Sequence, residues 1–285
     1  MPLTHYALIA VTTLSALLLH ASSARAELAD DPQKTDWTPG LFEKLDALDW
    51  QEQFHDPGDE AWQAGWFLDG ERGTVKNTPD GMVFSAGPIA FDNGSHAVLW
   101  TQDSFEGSIR IDFDYTRLDT ISRAVNILYI QATGVGSGPY TQDISEWSDL
   151  RIVPFMSSYF NNMNLLHVSF AAFVNDGSAG PADDYIRARR YPVVEEGTFE
   201  DTEVEPSYDN TGLFTPGEVL HMTFIKHEQD LMLRVTKDET HNYYHWNLAD
   251  FPPVTEGRIG IRHMWTRCAR YAGFGVSTLN PNMSP

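Results

Sequence analysis

The sequence predicts an all-β sandwich, and three observations predict it. Ten strand-like stretches follow one another from Gly81 to Ser277, separated by turn residues. Several sort into an apolar and a polar side with a period of two. Helical periodicity is confined to one short stretch, Leu41–Leu48. Many short strands with few helices bury a core only by packing sheet on sheet.

In chain order, residues 1–26 read as a secretory signal peptide. Ala7–Leu19 is an apolar run, Ala24-Arg25-Ala26 is a cleavage site, and His5 is the only basic candidate before the run. The run is too short to span a bilayer comfortably. No cysteine flanks the cleavage site, so lipid attachment there is not expected. Residues 27–285 are then one domain, long enough for a large core. Cys268 is the only cysteine, which excludes an internal disulfide and reads as a buried structural residue. An exported chain without staples points to a secreted or periplasmic protein of a bacterial envelope.

Asp30–Asp69 is rich in Trp and Pro and carries the short helix, then Trp62 and Trp66. The strands are expected at Gly81–Ser85, His96–Gln102, Ser108–Tyr115, Val125–Ala132, Leu165–Val174, Val219–Lys226, Leu231–Thr236, Tyr243–Leu248, Gly257–His263 and Tyr271–Ser277. Asn93-Gly94 and Asp176-Gly177 are turn dipeptides. Two longer stretches, Gly134–Met163 and Asp176–Glu218, read as loops lining a cleft. The acidic run Glu195–Glu205 reads as solvated surface.

The net charge is −21, which repels nucleic acid and anionic membranes. Of 19 basic residues 14 are Arg, clustered at Arg187–Arg190 and Arg258–Arg270. Arginine suits bidentate capture of carboxylate or sulfate.

The faces carry the chemistry. His96, Val98, Trp100 and Gln102 alternate with Ala97, Leu99 and Thr101. Ile109, Ile111, Phe113 and Tyr115 alternate with Arg110, Asp112 and Asp114. Leu166, Val168, Phe170, Ala172 and Val174 leave His167 and Ser169 on the other side. Tyr129 and Gln131 share a face, and Arg258 and Arg262 lie opposite Ile259 and Ile261. Any one such face is also that of an ordinary solvated sheet. Placed on one concave sheet, His96, Trp100, Asp112, Asp114, Tyr129, Gln131, His167 and Arg262 converge.

The segments His96–Trp100, Ile111–Tyr115, Asn126–Leu128, Ala132–Gly134, His167–Ser169 and Gly257–Met264 through Ala269–Tyr271 resemble the YesU-like family, from about Trp50 to Ser277. The closing block from Gly257 to Val276 is the most specific part. The resemblance implies a concanavalin A-like jelly-roll β-sandwich of two curved antiparallel sheets in a single domain. It also implies a carbohydrate cleft and a link to breakdown of uronic-acid-containing polysaccharides. The fold does not fix a reaction.

Three readings of the cleft follow. A retaining hydrolase needs two carboxylates flanking the scissile bond, which Asp112 and Asp114 offer. Jelly-roll hydrolases of the laminarinase type carry a Glu where this chain has Arg110, and end on Glu where it has Asp114. A β-eliminating lyase or dehydratase, the leading expectation, needs a base, an acid and a carboxylate neutraliser. Jelly-roll lyases use His and Tyr with Arg and Gln. Here His167 is expected as base and Tyr129 as acid, with the roles interchangeable, and Arg262 as carboxylate holder. Trp100, His96, Arg110, Asp112, Asp114, Gln131 and His263 are the expected substrate-binding residues. A non-catalytic carbohydrate-binding protein needs only Trp100 and the polar groups. The expected partner is an acidic polysaccharide or oligosaccharide. No cofactor is expected. Asp176, Asp183 and Asp184 are candidates for a structural Ca²⁺, at a spacing that matches no calcium loop, and no His pair shows metalloprotease spacing.

Overall fold

A computed structural model describes residues 37–279, so the expected signal segment 1–26 lies outside the described residues. The chain opens on α1 (Pro39–Asp46). Then come β1 (Trp50–Asp56), β2 (Trp66–Asp69), β3 (Thr74–Thr78), β4 (Gly81–Ser85), β5 (Ala97–Glu106), β6 (Ile109–Arg117) and β7 (Ala124–Gly134). A short 3₁₀ stretch, Ile144–Arg151, and α2 (Met156–Asn162) precede β8 (Met163–Phe173), β9 (Tyr185–Tyr191) and β10 (Glu203–Asp209). The chain ends on β11 (Val219–His227), β12 (Asp230–Lys237), β13 (Thr240–Asn247), β14 (Glu256–His263) and β15 (Cys268–Leu279).

The strands form two antiparallel sheets. One runs β13-β12-β11-β6-β15-β4-β3, with β1 also paired to β15; the other runs β10-β9-β8-β7-β14-β5-β2. The aliphatic faces read from the sequence meet between them. Ile111 and Phe113 of β6, Leu99 of β5, Val168 and Phe170 of β8 and Ile259 and Ile261 of β14 are all in one buried cluster. Period-two burial of this kind fixes register, because a slip of one residue would expose every one of them.

Both outer faces are covered as well. On the first sheet α1 sets Phe42 and Leu45 against Ile225 and Met232. Its start is capped by Thr38, whose hydroxyl accepts from the Leu41 amide at 3.3 Å, with Pro39 in the first turn. On the second sheet the segment between β7 and β8 lays Ile144, Trp147 and Tyr159 over Trp100, Ile127 and Tyr129.

The strands expected from Gly81 onward are present, with ends moved by a few residues. The expected cleft-lining stretch Asp176–Glu218 instead contains β9 and β10, and the Trp-rich stretch contains β1 and β2. Glu203, taken as solvated, pairs with Arg187 and Arg189, each at 3.1 Å. Cys268 is half-buried, its Sγ 3.0 Å from the Ser85 hydroxyl.

Candidate functional site

Sheet membership divides the expected site residues. β5 and β6 are joined by a tight turn at Gly107, yet they lie in opposite sheets. Arg110, Asp112 and Asp114 of β6 therefore face away from His167, on the other side of the molecule. The expected single cleft is corrected accordingly. Arg110 donates to Asp46 at 2.8 Å and to Asp112 at 2.7 Å, and Asp114 meets His221 at 2.8 Å. Arg110 is paired by Asp46 and Asp112, and Asp114 is hydrogen-bonded, all on their own face.

Gln131 and His263 also leave the expected face. The β7 register shifts between Ile130 and Thr133, and Gln131 takes a φ of 54°. That bulge turns Gln131 away from Tyr129. Its amide donates to the carbonyls of Phe105, Gly107 and Thr255, and its oxygen accepts from Lys226 at 2.7 Å. His263 lies inside the sandwich, 2.8 Å from the Tyr271 hydroxyl and stacked on Phe84. Burial pushes its pKa down to about 3.

The second sheet does bring His96, Trp100, Tyr129, His167 and Arg262 to one outer face. Cross-strand register places His167 beside Tyr129, Tyr129 beside Gly260 and Gly260 beside Trp100. Gly260 is required there, since a Cβ would stand 2.4 Å from the Trp100 ring. One row toward the end of β14, Arg262 pairs with Ile127 and Val98. Trp100, Tyr129 and Tyr159 are nearly parallel, with centroids 5.4–6.4 Å apart.

Two residues that strand periodicity did not single out hold this face closed. Asp69 of β2 accepts from Trp100 Nε1 at 2.8 Å, from Arg151 Nε at 2.6 Å and from the Tyr159 hydroxyl at 3.1 Å. Burial pushes the Asp69 pKa up, while the Arg151 guanidinium opposes the shift. Arg151 is fully buried and also donates to the carbonyls of Ile144 and Trp147. The pair straps the segment between β7 and β8 to the sheet. The sequence signal was weak: Asp69 ends a four-residue strand next to a glycine, and Arg151 sits in a stretch without periodicity.

The polar centre under this strap is unbalanced. Arg262 is fully buried, and no carboxylate pairs with it among the described residues. Its Nη2 donates to His96 Nδ1 at 2.7 Å and to the Pro154 carbonyl at 2.6 Å. A guanidinium only donates, so His96 Nδ1 accepts and the ring proton sits on Nε2. Burial, with Arg262 adding, lowers the His96 pKa to about 3, so the ring is neutral. Four buried polar atoms here have no protein partner among the described residues: His96 Nε2, the Tyr129 hydroxyl and Arg262 Nε and Nη1. All four carry a proton to donate. The Tyr129 hydroxyl lies against Arg262, and burial raises its pKa to about 12.

His167 is differently placed. Both ring nitrogens are engaged, Nδ1 with the Tyr191 hydroxyl and Nε2 with the Ser169 hydroxyl, each at 2.7 Å. Burial, then Arg189 and Arg262, hold its pKa well below the ordinary value, and its ring meets Tyr129 edge-on at 5.6 Å. Asp176, Asp183 and Asp184 serve three separate turns, bonding Ser178, Gly180 and Thr211 with Gly212. Among the described residues no three His, Cys, Asp or Glu side chains form a metal-ligand group.

No family model matches the chain, and no curated protein does. Solved structures do. A protein of unknown function with a galectin-like fold from Bacillus subtilis is 17% identical with a TM-score of 0.59, covering 81% of this chain and 100% of its own. The exoplasmic/lumenal domain of VIP36, bound to Ca²⁺ and Man3GlcNAc, is 9% identical with a TM-score of 0.54, covering 83% and 93%. Its metal-free form is 10% identical with a TM-score of 0.52, covering 81% and 94%. At such identities the likeness is one of fold: this chain has the two-sheet antiparallel jelly roll of galectin-like and lectin-like proteins.

Proposed function

We propose that this protein is an exported carbohydrate-recognising jelly roll that takes a uronic-acid-containing saccharide on the outer face of its second sheet. One observation carries the reading: a buried arginine that no carboxylate neutralises leaves its Nε and Nη1 without protein partners among the described residues, and His96 Nε2 and the Tyr129 hydroxyl beside it are unpartnered too. A buried donor left unpaired costs about 1–3 kcal/mol, and an unpaired charge more. A carboxylate answers both needs, because it accepts at two oxygens and carries the missing charge. Trp100 and Tyr129, both fully buried beneath the covering segment, become an aromatic wall for the sugar ring only when that segment is displaced. The Pro154 carbonyl, which accepts from Arg262 Nη2, is displaced with it in this reading. The VIP36 domain, itself a sugar-bound jelly roll, is consistent with sugar recognition on such a scaffold.

Calorimetric titration with a glucuronate-containing oligosaccharide and its neutral glucose counterpart tests the reading. Binding of the acidic sugar at least tenfold tighter is expected, a ratio worth about 1.4 kcal/mol. Equal affinity for the two would refute it.

β-Elimination at the same place is the second reading, favoured by the Tyr129 hydroxyl set against Arg262, whose charge opposes the rise in its pKa that burial causes. In it Arg262 holds the uronate carboxylate, while Tyr129 and His167 exchange the protons at the α-carbon and the leaving oxygen. Because both His167 nitrogens are hydrogen-bonded to hydroxyls, its proton would pass through Tyr191 or Ser169. Appearance of ultraviolet-absorbing unsaturated uronate on incubation with acidic polysaccharides identifies this activity. Its absence across a panel of uronate polymers that the protein binds leaves recognition as the function.

A further inference from the structure

A second cavity lies among the loops, and one of its walls, Thr266, follows shortly after Arg262 in the chain. The loop ahead of β5, the turn between β6 and β7, the loop after β8 and the turn between β14 and β15 enclose an open cavity of about 360 Å³. Small-molecule sites run from roughly 300 to 1,000 Å³. Ser122, Arg123, Gly177 and Thr266 are among its walls. Phe91, next to the wall residue Ala90, is 64% exposed, and its ring rests 4.7 Å from the buried Trp265 ring. The Arg123 guanidinium reaches over Phe91, 5.8 Å from the ring centre.

Three features of this cavity bear on a ligand. Phe91, beside the wall, and Thr266, in it, hold φ angles of 60° and 64°, a conformation that bulky and β-branched residues avoid. Strain of this sort persists at sites where a side chain must be presented in one direction. The Thr266 hydroxyl is buried with no protein partner among the described residues. Arg123 enters no ion pair among the described residues, although the chain carries a net charge of −21. The acids nearest in sequence are already committed. Asp119 pairs with Arg117 and Arg267, Asp92 with Arg72, and Asp176 bonds Ser178.

We propose that this cavity is a second carbohydrate site, independent of Arg262, that takes one anionic sugar unit. Arg123 receives the carboxylate or sulfate with its planar fork. The open face of Phe91 stacks on the apolar C–H face of the ring, and the Ser122 hydroxyl meets a sugar hydroxyl. Gly177, at a φ of 81°, lets the loop turn beside the guanidinium, where a Cβ would make ordinary contact at 3.4 Å with Arg123 Nη2. On an acidic polymer, two such sites on one chain raise the apparent affinity through effective concentration.

The test is a site-resolved titration of the ¹⁵N-labelled protein with glucuronate, glucose 6-sulfate, glucose and inorganic sulfate. The expected result is that the amides of Phe91, Ser122, Arg123, Gly177 and Thr266 shift together with an anionic sugar. Glucose and inorganic sulfate should each act at least roughly tenfold more weakly. Comparison of glucuronate with glucose 6-sulfate identifies the preferred anion. Arg123→Gln and Phe91→Ala, both at the surface, should weaken the response to a similar degree. Amides around His96 and Arg262 should respond as before. Silence of the loop amides, shifts unchanged by Arg123→Gln, or an equal response to inorganic sulfate alone would overturn the proposal. Silence around Arg262 with a loop response would instead count against the sheet-face reading and leave this one standing.

Discussion

At the scale of single residues, the candidate site is costly to the fold. Arg262 is buried without a carboxylate, and its Nε and Nη1 go unsatisfied, as do His96 Nε2 and the Tyr129 hydroxyl. A buried charge without a counter-charge costs several kcal/mol, more than the two hydrogen bonds that Arg262 gives to His96 and Pro154 return, at about 1.5–3 kcal/mol each. Arg262→Met should therefore be as stable as the parent or more so, by about 1 kcal/mol, while losing preference for acidic sugar. Chemical denaturation and the acidic-versus-neutral titration measure the two effects. A large loss of stability would mean that Arg262 serves the fold through Pro154 and His96 rather than a ligand. Part of this was legible in the sequence. The alternation of β14 sets Arg262 opposite Ile261, and that of β8 sets His167 opposite Val168. The bulge that withdraws Gln131 was not legible, because a single residue at positive φ leaves no trace in a period-two pattern.

At the scale of elements, the segment from Ile144 to Asn162 is the cover of the candidate site. It touches the sheet through Trp147 and Tyr159 and is fastened by the buried Arg151–Asp69 pair. Breaking a buried pair from one side costs about 3–5 kcal/mol, because the other charge is left alone. Asp69→Asn keeps the shape and removes the charge. Its effect should be local: hydrogen exchange in residues 144–162 should rise strongly, while β7 and β14 stay protected. Exchange that rises equally across the whole second sheet would show the segment to be an inseparable part of the sandwich. The outward side of the segment carries Leu150, Ile152 and Phe155, each more than two-fifths exposed, so it covers the site without being buried itself. β9 was missed among the elements for a related reason. Its sequence Tyr185–Tyr191 holds Arg187, Arg189 and Arg190, and the partner that balances two of them, Glu203, lies on β10. No local pattern announces a strand whose polar face is neutralised by its neighbour.

At the scale of the whole molecule, buried imidazoles link stability to pH. The pKa values of His96 and His263 are lowered to about 3, and that of His167 falls well below 6.5, with burial the leading cause in each. In the unfolded chain these rings protonate near 6.5, so the unfolded state binds more protons below that pH. Their contribution is complete above pH 6.5 and is lost as pH falls toward the folded values. Each ring removes up to about 1.4 kcal/mol per pH unit in that window. In denaturant unfolding the proton uptake should rise from under about one at pH 7 to roughly three near pH 5, before ordinary carboxylates titrate. A flat profile across that window would place at least two of the rings in protonated or exposed states.

The sequence by itself determined which side chains share a face, where most strands run, and that the product is an all-β sandwich. Those properties follow from period-two alternation and turn chemistry, both of which act over a few residues. Which faces lie together depends on long-range strand pairing instead. β5 and β6 are adjacent in the chain but separated by the thickness of the molecule, so Asp112 and Asp114 never meet His167. Sheet membership depends on pairings between strands far apart in sequence, such as β14 between β5 and β7, and alternation is silent about them. Tertiary structure likewise decided that the face with Arg262 is roofed, because the roof is an aperiodic segment pinned by one carboxylate 82 residues away.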